Sequence, residues 1–392
     1  MTRPPGGPPG PPLGQPGHST GGPPDPPPHH ATVGPVHIVG SGLIGASIGL
    51  GLRGLGVEVT LEDPSPAALA VAQQVGAGRA RQADDRPPLI VIVASPPDVA
   101  GETTAIQLDR FRQAVVSDVA SVKVVILEEL RQAGADLSRY VGSHPMAGRE
   151  RTGPAAASAD LFVGRPWVIA PAPQTTGQAA LRIRELASDL GGYPAYMNAS
   201  AHDAAVALVS HVPQVMSSLT AGALAGAEPG ALDLAGQGLR DMTRIAQSDP
   251  NLWAAILVGN GLAVAQVLRQ VRAGLDRAIA ALDLGTKPET LGHALVELAD
   301  VVGIGRQGAE LIPGKHGGTR RVFDKVTVMV PDKPGELGRL FQELGRLNVN
   351  LEDLKLEHGA GQLVGLAELS VPTGRGAALA SDLIEQGWRI LQ

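Results

Sequence analysis

Gly40-Ser41-Gly42-Leu43-Ile44-Gly45 spells GxGxxG, the spacing that lets a chain turn tightly and bring bare backbone N–H groups to a pyrophosphate. It follows the apolar run Pro35-Val36-His37-Ile38-Val39 and opens an Ala/Leu/Ile-rich stretch from Leu43 to Leu55, so strand, glycine turn and helix come in the required order. The next apolar run, Val57 to Leu61, leads to Asp63, 18 residues beyond Gly45. A carboxylate there accepts from the adenosine ribose hydroxyls and repels a 2′-phosphate, which predicts NAD rather than NADP. Ser41, Leu43, Ile44 and Ser95 complete the candidate cofactor contacts. Glu62 is the rival acid, and a glycine turn shaped only by packing is the plainer alternative.

Such a turn needs a sheet to hold it. After the strand Val57 to Leu61 come a helix from Pro66 to Val75 and the wholly apolar run Leu89-Ile90-Val91-Ile92-Val93, which suits a strand buried on both faces. This alternation predicts an α/β domain over 35–170, a Rossmann-type parallel sheet extending to Trp167-Val168-Ile169-Ala170. Past it the periodicity becomes helical, and residues 171–312 read as an all-helical domain. Ser200, with Asp203 three residues later, reads as the cap of a long helix reaching Ala225. Pro213 inside that helix lacks an N–H and crowds the Val209 carbonyl, which predicts a kink. Further helices are expected through Ser248 to Leu282 and Leu291 to Val302. A linker at 313–321 leads to 322–392, whose βαββαβ order predicts a ferredoxin-like α+β domain, with Asn348 in the left-handed position that closes its first helix.

Composition narrows the chemistry. A net charge of −6 offers no broad basic field for nucleic acid, and the absence of cysteine removes disulfides, zinc thiolates and thiol nucleophiles. No metal site is read from the sequence. Residues 1–34 are Pro/Gly-rich and read as a disordered tail rather than a secretion signal. The later apolar stretches are interrupted before the ~20 residues needed to span a bilayer, so no membrane partner and a cytoplasmic location are expected.

Four strings carry a resemblance. "SVK" at Ser121 to Lys123, "SHPMAG" at Ser143 to Gly148, "SHVPQ" at Ser210 to Gln214 and "GLRDMTRIAQSDPNLW" at Gly238 to Trp253, in that order after the glycine fingerprint, resemble the prephenate dehydrogenase family from residue 35 onward. The resemblance implies a dinucleotide-binding domain, a helical dimerisation domain and hence a homodimer. It further implies oxidation of prephenate by NAD⁺ with loss of the ring carboxylate as CO₂. That reaction needs a base for the ring hydroxyl, a cation for a carboxylate, and a nicotinamide facing the carbon that loses hydride. The resemblance assigns the base to His144, assisted by Ser121, and the cation to Arg244, with Trp253 and Asp249 as supports. Read without it, His144 before Pro145 is a loop residue with local hydrogen bonds, and Arg244 a helix arginine paired with Asp241 or Asp249.

Ser210 and Gln214, four apart, share a helix face and are candidate substrate contacts; His211 is a contact or a packing residue. Gln214 departs from the resemblance, since many relatives carry His there. A neutral amide leaves open whether the side chain accepted is the pyruvyl group of prephenate or the aminoacyl group of arogenate. Arg149, where relatives carry a small polar residue, is a candidate for the missing charge, or a surface residue beside Glu150 and Arg151.

The loop Pro331-Asp332-Lys333-Pro334-Gly335 and the segment Asn348-Val349-Asn350-Leu351 resemble the ligand loop and strand of an ACT domain, whose paired copies bind amino acids at their interface. This implies Asp332 and Asn350 as effector contacts and tyrosine as the effector; a domain that only pairs subunits is the alternative. A different dehydrogenase of the same cofactor fold, or an amino-acid sensor built on a retired dehydrogenase, are the competing readings of the whole chain.

Overall fold

The computed structural model describes residues 30–148, 152–228, 230–313, 323–358 and 364–391. Arg149, the first 29 residues of the tail and all but the first residue of the linker lie outside the described residues. Strand β1 (Val36–Val39), helix α1 (Leu43–Gly54), β2 (Val59–Glu62), α2 (Pro66–Gln74), β3 (Arg79–Ala80), β4 (Ile90–Val93), α3 (Pro97–Arg110) and β5 (Val115–Asp118) build a five-stranded parallel sheet in the order β3-β2-β1-β4-β5. The order reverses at β1, with β2 on one side and β4 on the other, and a crevice for a ligand opens at such a switch.

Helix α4 (Val124–Gln132) leads to β6 (Val141–Pro145), β7 (Pro166–Pro171), α5 (Gly177–Asp189) and β8 (Tyr193–Tyr196). The expected extension of the parallel sheet to Trp167–Ala170 is corrected here. β6, β7 and β8 form a second sheet, in which β6 and β7 are antiparallel, joined to β5 by one isolated bridge from Val116 to Tyr140. The described part of the β6–β7 connection holds short turns, Pro154–Ala156 among them, and no α-helix, and a strand that returns without a crossover helix pairs antiparallel. Nor does a helical domain begin at 171. α5 buries Ala179, Ile183, Leu186 and Ala187 in one core with Val36, Ile38 and Trp167, so the first unit continues through β8.

The helical part follows: α6 (Ala199–Val206), a π-helical segment Ala207–His211, α7 (Val212–Ala223), α8 (Gln237–Thr243), α9 (Pro250–Gly259), α10 (Gly261–Gly285) and α11 (Leu291–Glu310). Asn198, not Ser200, caps α6, its side-chain oxygen accepting from Ala201 N at 2.8 Å. The kink expected at Pro213 takes the form of the π segment just before it, where the ladder widens around the missing donor. The run Ala199–Gly226 is, contrary to expectation, long and apolar enough to cross a membrane by length and composition. Its buried positions, however, include His202, Asp203, His211 and Gln214, a polar inward face turned to the rest of the fold. The expected single stretch Ser248 to Leu282 divides at Asn260, where α9 and α10 meet at a 95° bend.

The C-terminal unit comprises β9 (Phe323–Pro331), α12 (Glu336–Arg346), β10 (Asp353–His358), β11 (Val364–Pro372), α13 (Gly376–Glu385) and β12 (Arg389–Leu391), an antiparallel sheet in the order β10-β11-β9-β12. Leu340, Leu344, Leu379 and Leu383 pack on Val326, Val328, Ala367 and Leu369 to give it a core of its own. Asn348 has φ 51°, as its place after α12 requires.

Candidate active site

At the cofactor end, the glycines earn their places by distance. Gly40 has φ 96°, and a Cβ there would lie 2.5 Å from the Ala94 carbonyl oxygen; a Cβ on Gly45 would lie 2.0 Å from the Gly40 carbonyl oxygen. α1 can therefore begin only against a turn stripped of side chains. A Cβ on Gly42 would meet nothing within 4 Å, so this N–H face is open. Asp63 stands beside it: Oδ2 accepts from Ser41 N at 2.6 Å and from Ser41 Oγ at 2.7 Å, and Oδ1 accepts from Ser65 N at 2.8 Å. The rival acid Glu62 is taken by Arg110 Nη1 at 2.7 Å and lies 3.3 Å from His37 Nε2. A cavity of about 400 Å³ runs past Asp63, lined also by Leu69, Arg81 and Arg110. Ser95 Oγ, at the end of β4 against the glycine turn, is buried without a protein partner. An open N–H face, an orphaned hydroxyl and a cavity beside a carboxylate fit a dinucleotide.

The second cavity, about 240 Å³, lies where the second sheet meets the helical part, lined by Ser121, His144, Ser210, His211 and Trp253, with Met146 and Ile256 on its apolar side. His144 sits near the end of β6, held opposite Val168 of β7. Its Nδ1 lies 2.9 Å from His202 Nε2, and His202 Nδ1 lies 2.7 Å from Asp203 Oδ1. Burial, then the neighbouring His202, Lys123 and His211, hold the His144 imidazole well below its ordinary 6.5. The imidazole is therefore neutral at physiological pH, with Nε2 left for the cavity. Burial likewise lowers His211 to about 4, against an opposing pull from Asp203. Its ring stands edge-on to Trp253, with centroids 6.0 Å apart.

Beneath the cavity Lys123 and Asp118 form a fully buried ion pair, and Tyr140 Oη donates to Asp118 Oδ2 at 2.7 Å. Burial, followed by the Asp118 charge, pushes the Tyr140 phenol well up, so it remains a donor. The pair anchors the turn after β5 from which Ser121 reaches the cavity.

Two expected residues are placed elsewhere. Arg244 does not line this cavity; it is exposed on the short 3-10 turn Arg244–Gln247 between α8 and α9. Gln214 is buried and donates from Nε2 to the Ile245 carbonyl at 2.9 Å, so it braces that turn and does not line the cavity. The π segment between it and the start of the helix undoes the simple reckoning of a shared face with Ser210. Asp249 caps α9, accepting from Asn251 N at 2.8 Å and Leu252 N at 3.0 Å. Conversely, His202, Asp203 and Asn260 were not foreseen at the site. An adjacent His-Asp pair on the first turns of a helix was the available signal, and Asp203 was read only as a capping partner.

Models of two domain families match the chain: the nucleotide-binding domain of prephenate dehydrogenase over residues 48–194 and its dimerization domain over 198–296. A probable prephenate dehydrogenase of Streptomyces niveus is 34% identical over 90% of this chain and 98% of its own. A cyclohexadienyl dehydrogenase of Zymomonas mobilis is 31% identical over 63% of this chain and 89% of its own. Among solved structures, Aquifex aeolicus prephenate dehydrogenase, in complex with hydroxyphenyl propionate and NAD⁺, superposes with a TM-score of 0.60 at 26% identity, over 70% of this chain and 97% of that one. Synechocystis arogenate dehydrogenase gives 0.55 at 28% identity, over 70% and 99%.

Proposed function

This chain belongs to the prephenate dehydrogenase family, and on that premise we propose how its residues divide the NAD-dependent oxidative decarboxylation of prephenate, a step of tyrosine biosynthesis. His144 Nε2 takes the proton of the ring hydroxyl, and the Ser121 hydroxyl bonds the same oxygen to keep it in register. Gly40–Gly45, Asp63 and Ser95 would hold NAD⁺, which would supply the acceptor for the hydride leaving the ring carbon. As the carbon–carboxylate bond breaks, its electron pair enters the ring, which becomes aromatic. The former hydroxyl oxygen then carries a phenolate charge and recovers its proton from His144. No net proton is needed, so a neutral buried imidazole suffices. The observation that carries this reading is that Ser121 and His144, 23 residues apart in sequence, face one ring-sized cavity with the second nitrogen of His144 already engaged.

In this reading Arg244 serves a substrate carboxylate, and Arg149 the carboxylate of the side chain. Support for Arg244 is its place on the turn immediately before α9, the helix that brings Trp253 into the cavity. Holding the ring carboxylate loosely suits a group that must depart. Following NADH absorbance with prephenate, arogenate and β-hydroxy acids in turn tests the assignment: prephenate should be oxidised fastest, and turnover of β-hydroxy acids alone would refute it.

The protein acts as a homodimer in the cytoplasm. Leu262, Leu275, Ile279, Leu282, Leu295 and Val302 on α10 and α11 are exposed in the single chain and suit an apolar face against a second copy. The C-terminal unit is read as an ACT domain that senses tyrosine. β9 and β10 both run antiparallel to β11, so Asp332, after β9, and Asn350, before β10, sit at opposite ends of one sheet. A two-fold pairing of two such sheets brings them together, which makes the effector site a property of the dimer. Tyrosine should then lower activity and raise the melting temperature; no change in either argues for a purely structural domain.

A further inference from the structure

Asp203 is buried, and every oxygen it owns is used. Oδ1 accepts from His202 Nδ1 at 2.7 Å and from Lys123 N at 2.9 Å, and Oδ2 accepts from Val124 N at 2.9 Å. Its carbonyl accepts from Asn260 Nδ2 at 2.7 Å, and the same amide nitrogen lies 3.1 Å from His211 Nδ1. One residue thus touches the supports of Ser121, His144 and His211 at once. A carboxylate needed only to cap α4 would be satisfied by the two amides and would have no reason to hold a histidine that in turn holds another.

We propose that Asp203, acting through His202, is the positioning residue that makes His144 a base. The proposal rests on the reading of His144 as the group that takes the hydroxyl proton. A carboxylate only accepts, so His202 Nδ1 carries the hydrogen of that bond. With a single hydrogen on Nδ1, His202 has a bare Nε2, which accepts the hydrogen on His144 Nδ1. His144 Nε2 is left with its lone pair, on the side of the ring that borders the cavity. When the substrate proton arrives at Nε2, the imidazolium keeps Nδ1–H on His202, and the row ends in the Asp203 charge that stabilises it. No proton needs to travel to the carboxylate. When the ring aromatises, the proton returns from Nε2 to the product oxygen and the row is restored.

The same residue sets the distance between base and serine. Through the amides of Lys123 and Val124, Asp203 fixes the first turn of α4, two residues past Ser121. Through His202 it fixes the ring of His144, 58 residues from its partner in sequence. The first turn of α4 and the end of β6 are thereby referred to one anion.

Two variants and one spectrum test this. In Asp203→Asn the amide oxygen can go on accepting from His202 Nδ1 and Lys123 N, so the tautomers hold but the charge that ends the row is lost; kcat should fall about 10–100-fold with the acid limb of the kcat profile moved to lower pH. In His202→Gln the side-chain oxygen still accepts from His144 Nδ1 but the carboxylate is disconnected, so kcat should fall about 10–100-fold with the acid limb of the kcat profile moved to lower pH. KM for NAD⁺ should change little in both. In the wild-type protein, ¹⁵N NMR of the side chains should show hydrogen on Nδ1 of both His144 and His202. Should Asp203→Asn fail to fold, His202→Gln and the spectrum decide. Variants that keep kcat within about 3-fold, or that lose activity with the acid limb unmoved, overturn the proposal, as does hydrogen on His144 Nε2. A wild type that oxidises neither prephenate nor arogenate would instead sink the reading of the function, and the proposal with it.

Discussion

The two regions proposed to act on the substrate are built on opposite plans. Around His144 the polar groups are buried and partnered: Lys123 with Asp118, Tyr140 with Asp118, His202 with Asp203, Asn260 with His211. Around Arg244 the chain is a short exposed turn between two helices, braced from behind by Gln214. A base whose proton affinity must be set by its surroundings cannot work from solvent, because water would return it to its ordinary value. A cation that recruits a carboxylate can do so from an exposed turn. The contrast predicts that damage at the first end appears in kcat and damage at the second in KM.

The largest effect should come from His144→Ala. Removing a positioned base costs about 10²–10⁴-fold in kcat, while NAD⁺ affinity, measured by fluorescence titration, should hold. A drop in cofactor affinity equal to the drop in kcat would show instead that the ring merely props the cleft.

Acid should come next, and it acts on buried imidazoles, at the His144 end and, for His37, in the parallel sheet beside Glu62. His37 and His211 are both lowered from 6.5 to about 4, in each case chiefly by burial. Between those values the unfolded chain binds protons that the folded chain refuses, so stability falls as pH drops from about 6.5 and levels below about 4. Each ring should contribute about 3 kcal/mol of loss by pH 4. His144 shifts the same way and adds to it. Calorimetric melts across that range should show the decline, and His37→Gln should flatten it; a melting temperature independent of pH would mean that these rings are not held neutral.

The exposed end should be milder. Arg244→Ala is expected to raise KM for prephenate about 10–100-fold with kcat nearly kept, as for lost binding that is equal in ground and transition states. A fall in kcat with unchanged KM would place Arg244 in the chemistry and erase the contrast.

How much of this could be read beforehand follows the same division. Gly40, Gly42, Gly45 and Asp63 declare themselves because their function lies in the backbone turn they permit, a local property of a few consecutive residues. Ser121, His144, Ser210 and Trp253 were legible as strings and do meet in one cavity. The His202–Asp203 pair was not, because its meaning arises only when β6 carries His144 to α6. Gln214 was misplaced by counting α-helical turns across a segment that is π-helical. The domain boundary at 170 failed for a related reason: α5 has a helical period whichever core it joins, and only packing assigned it to the first.

The smallest effect tests whether the partnered end also selects the substrate. Asn260 directs its amide hydrogens to the Asp203 carbonyl and to His211 Nδ1, so His211 carries its own hydrogen on Nε2. That nitrogen has no protein partner among the described residues, and the ring borders the cavity. A neutral donor there suits the keto and carboxylate oxygens of a pyruvyl side chain and opposes an ammonium, which brings hydrogens of its own. Asn260→Asp reverses the bond: a carboxylate demands hydrogen on Nδ1 and leaves Nε2 bare, an acceptor for an ammonium. The ratio of kcat/KM for prephenate to that for arogenate should then fall about tenfold, the value of one hydrogen bond of about 1.4 kcal/mol. If both substrates lose activity in equal measure, His211 faces the ring carboxylate they share, and discrimination must be sought at the exposed end.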